Sequence, residues 1–86
     1  MKNINVVREK LKVNLTLNSS VITPIKAVME FTLNGVAVFT KSLFITNRHF
    51  NREQLISHET FKFLANLETD EVMQDKVNLV LNMGVI

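Results

Sequence analysis

The chain contains no cysteine, no tryptophan and no tyrosine, and only one proline and two glycines in 86 residues. Without cysteine there is no disulfide, no thiolate nucleophile and none of the commonest structural zinc sites, so stability must come from packing alone. A phosphate-cradling loop needs several glycines to let the backbone approach its ligand, and Gly35 and Gly84 stand alone, which argues against nucleotide binding. No apolar run approaches the roughly 20 residues of a membrane span. The opening Met1-Lys2-Asn3-Ile4-Asn5 runs on to Arg8, Glu9 and Lys10 with no apolar stretch of signal-peptide length, so the expectation is a cytoplasmic chain with no membrane partner. Asn14-Leu15-Thr16 and Asn18-Ser19-Ser20 match the glycosylation acceptor pattern, and in a chain that is not secreted both are chance matches.

Catalytic signatures are missing too. His49 and His58 stand nine residues apart with no third His, no Cys and no tight carboxylate cluster beside them, whereas a metal site needs three or four ligands. Ser19, Ser20, Ser42 and Ser57 lack a glycine-flanked elbow or a paired base that would activate a hydroxyl. The expectation is therefore no enzyme activity, no metal and no cofactor.

What is present is a foldable chain. Hydrophobic residues make up 47% and charged residues 21%, which excludes a disordered tail. This length supports one core and a single domain over residues 1–86, burying about 60 to 65% of the unfolded surface. Ten Asn, seven Lys, six Ile and six Phe are the bias AT-rich coding produces, which points to a phage or other mobile element as the source.

Leu11, Val13, Leu15 and Leu17 alternate with Lys12, Asn14 and Thr16, the period of a half-buried strand over about 11–18. Upstream, Ile4 and Val6 fall on the opposite parity, so a strand continued backward needs a bulge or break near Val7 to Lys10. Asn18, Ser19 and Ser20 mark a turn, and Pro24 restarts the chain. Ile25, Ala27, Met29, Phe31 and Leu33 define a second strand, about 25–34, running into Asn34-Gly35, the dipeptide best suited to a tight hairpin. A two-residue loop predicts the pairs Leu33–Val36, Phe31–Val38 and Met29–Thr40, with a third strand over about 36–45. The other parity of that strand carries Ala37, Phe39, Leu43 and Ile45, so both faces are partly apolar.

Asn51 followed by Gln54 resembles a capping box, and a helix over about 52–67 gathers Ile56, Thr60, Phe63, Leu64 and Leu67 on one side and His58, Glu59, Lys62 and Asn66 on the other. The segment 70–83 reads as a second helix capped by Thr69. Its polar arc holds Gln74, Asp75, Asn78 and Asn82, and Gly84 and Val85 suit its C-terminal cap. Because Val77, Leu79, Leu81 and Met83 also alternate, a fourth strand over 76–83 is the alternative. Lys12–Ile22 and Lys76–Ile86 share eight of eleven residues, which is read as chance reuse in a biased composition. The expected fold is thus α+β, with a three-stranded antiparallel sheet whose one face carries two helices.

Charge divides along the chain. Residues 1–52 carry eight basic residues against Glu9 and Glu30, a net of +6, and residues 53–86 carry two against six acidic, a net of −4. Candidate contacts to phosphates or acidic partners are Lys10, Lys12, Lys26, Lys41, Arg48 and Arg52, although only Phe39 and Phe44 remain to stack on bases. Val28, Phe39, Phe61, Val85 and Ile86 fall outside the buried faces and are the candidate apolar contacts to a protein partner or to a second copy. The leading expectation is a noncatalytic protein-binding module, such as an inhibitor or accessory factor that occupies a partner's surface. A small nucleic-acid-binding protein and a self-assembling subunit, the simplest being a homodimer, are the alternatives.

Overall fold

A computed structural model describes residues 2–18, 24–47 and 49–83. The elements run α1 (Ile4–Lys10), β1 (Lys12–Leu17), β2 (Ile25–Leu33), β3 (Val36–Ile45), α2 (Arg52–Leu67) and α3 (Glu71–Met83). The strands form an open antiparallel sheet in the order β1-β2-β3. Both longer helices lie on one face, α2 reaching β1 through Arg52 and β3 through Glu59 and Phe63, and α3 packing against β3 and β2.

The hairpin forms where the Asn-Gly pair requires it. Asn34 and Gly35 both take positive φ, 52° and 79°, and Leu33 pairs with Val36. Beyond the turn the register departs from expectation, because a bulge between Thr32 and Phe31 sets Thr32 opposite Ala37 but Phe31 opposite Phe39. The extra residue turns Val38 and Phe39 both inward, so from there to Ile45 the odd-numbered side chains face the core. Phe39 is consequently not an exposed contact. It packs in an aromatic trio, with ring centroids 5.6 Å from Phe31 and 5.8 Å from Phe63, while Phe31 stacks on Phe63 at 4.9 Å.

The parity clash at the N-terminus resolves differently from a bulged strand. Residues 4–10 form about two helical turns, and at helical spacing Ile4, Val7 and Leu11 share one side, with Val7 fully buried. Leu11 N donates to Val7 O as the chain leaves the helix for β1. A seven-residue helix is too short to hold by itself, so its packing holds it.

α2 starts as the capping pattern requires, with Gln54 N donating to Asn51 Oδ1 at 3.0 Å. α3 is a helix, which excludes the strand alternative for 76–83, and its first turn is capped by Asp70, whose Oδ1 accepts from Met73 N at 3.1 Å, rather than by Thr69. Gly84 and Val85 lie outside the described residues. The sheet covers Val77 and Val80 and half-covers Met73 and Leu81, but not the whole apolar arc of α3. Asn78 turns inward, and its Oδ1 is buried with no hydrogen-bond partner among the described residues.

Candidate functional site

The candidate residues for ordinary chemistry do not assemble. His49 and His58 border one open depression with Ser57, but no group of three metal-ligating residues occurs among the described residues. Ser57 and His58, adjacent on a helix, do not face each other.

The basic set is scattered. Lys12 and Lys26 lie on the uncovered sheet face, but they sit opposite Thr32 and Phe44, at the two ends of β2, about 20 Å apart at strand rise. Lys10 borders the hairpin turn beside Glu9. Arg52 reaches from the start of α2 to donate to Leu15 O at 2.7 Å. Arg48 lies outside the described residues. Lys41 points to the helical side, where its Nζ donates to Glu59 Oε2 at 2.7 Å, with Lys62 Nζ at 3.7 Å from the other carboxylate oxygen. Glu59, expected on the polar side of α2, is 92% buried. Burial pushes its carboxyl up, but the hydrogen bond from Lys41 and the charges of Lys41, Lys62 and His58 outweigh this and hold it below the usual carboxylate range. The hydrogen bond to Glu59 likewise raises Lys41 above the usual lysine value, against the opposing effect of burial.

The apolar candidates divide as well. Phe61 is 72% exposed on α2, Val28 is half-buried on the uncovered sheet face, and Val85 and Ile86 lie outside the described residues. The larger exposed apolar groups are elsewhere. Phe44 stands 67% exposed on the uncovered face of β3, and Val72, Leu79 and Met83 recur at i, i+7 and i+11 along α3. The signal for the α3 stripe is an apolar arc wider than one sheet contact can bury.

The backbone supplies the remaining feature, because an open three-stranded sheet has two edges and they differ. With Leu33 and Val36 closing the turn and the bulge absorbing one residue, the odd-numbered residues 39–45 of β3 exchange hydrogen bonds with β2. Thr40, Ser42 and Phe44 therefore turn their N–H and C=O groups to the outer edge. The same alternation makes the even-numbered residues of β2 bond to β1, as the bond from Asn18 N to Lys26 O shows. At the β1 edge the outward groups belong to Val13, Leu15 and Leu17, and Arg52 covers the middle one. At the β3 edge no strand pairs among the described residues. Ten residues long, β3 carries one charge, Lys41, and that charge is tied inward to Glu59. Edge strands are commonly guarded by short length, charge or cover, and β3 has none of these devices apart from the bulge near its turn.

No family model, curated protein or solved structure matches this chain. No helix among the described residues is long and apolar enough to cross a membrane.

Proposed function

We propose that the chain is a noncatalytic protein-binding module, of the inhibitor or accessory-factor kind, that takes up an extended segment of a partner along the free edge of β3. The observation that carries this reading is the contrast between the two sheet edges. β1 is short and has Arg52 on its central carbonyl, whereas β3 is long and presents three residues, the exposed Phe44 among them, that no strand pairs among the described residues. Strand addition draws affinity from main-chain hydrogen bonds and specificity from alternate side chains, and Thr40, Ser42 and Phe44 supply both on one face.

The test is an amide-resolved NMR titration with a strand-forming probe, a peptide copying residues 39–45 with lysines added for solubility. The reading expects shifts and slowed exchange at Thr40, Ser42 and Phe44. Responses confined to Val13, Leu15 and Leu17, or no response at millimolar peptide, would overturn it.

A further inference from the structure

The partner chemistry that the β3 edge fits most closely is that of the same edge. Resting on the strand-addition reading, we infer that two copies of this chain pair β3 against β3 about a two-fold axis at Ser42, giving one continuous six-stranded antiparallel sheet. An antiparallel pair of identical strands is self-complementary, as a two-fold interface requires. Centred on Ser42, the register sets Ser42 opposite Ser42 of the partner subunit and Thr40 opposite Phe44 of the partner subunit. Every outward N–H and C=O of the three residues is then used, about six hydrogen bonds in all.

The helical layer leaves apolar surface uncovered. α3 packs against both β3 and β2. Its stripe Val72, Leu79 and Met83 stays free, being 80%, 64% and 58% exposed. It lies about 140 to 180° around α3 from Gln74, whose amide reaches back to Leu67 O and Glu68 O at the end of α2, so the stripe faces away from α2. The ion pair between Lys41 and Glu59 keeps the one charge of β3 out of the seam.

The experiment combines light scattering after size exclusion, at about 100 µM protein in low and high salt, with single-cysteine cross-linking, for which the cysteine-free chain is well suited. The opposed Ser42 residues would have Cα atoms about 5.5 Å apart, within disulfide reach. A dimer that survives 1 M salt is expected. Ser42→Cys should become a covalent dimer under mild oxidation, whereas Thr16→Cys, exposed on β1, should not. Ser42→Pro, which removes only an outward N–H, should fold as a monomer. A monomer at both salts overturns the inference and leaves the strand-addition reading to be judged by the peptide titration. A dimer that persists in Ser42→Pro, or in which Ser42→Cys fails to cross-link, overturns the inference by placing the self-association away from this edge, and the strand-addition reading is again judged by the peptide titration.

Discussion

Replacing Lys41 by Met should destabilise the fold by an amount that depends on pH in a direction fixed by Glu59. Removing one partner of a fully buried ion pair costs about 3 to 5 kcal/mol. Here the Lys41 side chain is 35% exposed and Lys62 still stands 3.7 Å from the carboxylate, so about 2 kcal/mol at pH 7 is expected, a fall of about 10 °C in Tm for a domain of this size. In the native chain the Glu59 carboxyl is held below its ordinary value. Its contribution is therefore present above the ordinary glutamate pKa of about 4.3 and is lost as pH falls through the depressed folded value. In Lys41→Met burial is opposed only by Lys62 and His58, so the Glu59 carboxyl shifts upward from its native position and acidification relieves the variant by protonating it. The stability gap between the two proteins, measured by urea unfolding at pH 7 and pH 4, should shrink to less than about 1 kcal/mol at the lower pH. A gap that is the same at both pH values, or that widens on acidification, would refute the reasoning.

Other perturbations test neighbouring parts of the account. Arg52→Ala returns the Leu15 carbonyl to water, so a loss of about 1 kcal/mol in urea unfolding is expected, together with faster amide exchange in β1. Phe39→Ala removes one ring of the aromatic trio and should cost about 2 to 3 kcal/mol, whereas Phe61→Ser, at a position 72% exposed, should stay within about 0.5 kcal/mol in the same thermal melts.

Local chemistry made much of the fold legible in the sequence. Asn34-Gly35 fixed the hairpin, alternation placed all three strands, and Asn51 with Gln54 marked the start of α2. The bulge was not legible, because no glycine or charge marks it and both Val38 and Phe39 suit a strand. It brings Phe39 against Phe31 and against Phe63, 24 residues away, a contact that no local pattern announces. That shift removed Phe39 from the candidate contacts and turned Lys41 toward the helices. The short α1 is hidden because seven residues carry little helical signal of their own, and Glu59 reads as solvent-facing because its partner lies on another element. Of the candidate site residues, the exposure of Phe61 was readable from its position on α2. The free edge of β3 was not, since which of three strands ends a sheet is set by topology rather than by any residue in the strand.

The outward backbone groups of β3 are where this chain is proposed to engage another strand. The most direct measurement repeats the peptide titration on Ser42→Pro, with the amide spectrum serving at once as a check on the fold. The expected result is a native-like spectrum that no longer responds to the peptide at Thr40 or Phe44. A folded Ser42→Pro chain that binds the peptide as the native chain does would contradict the account.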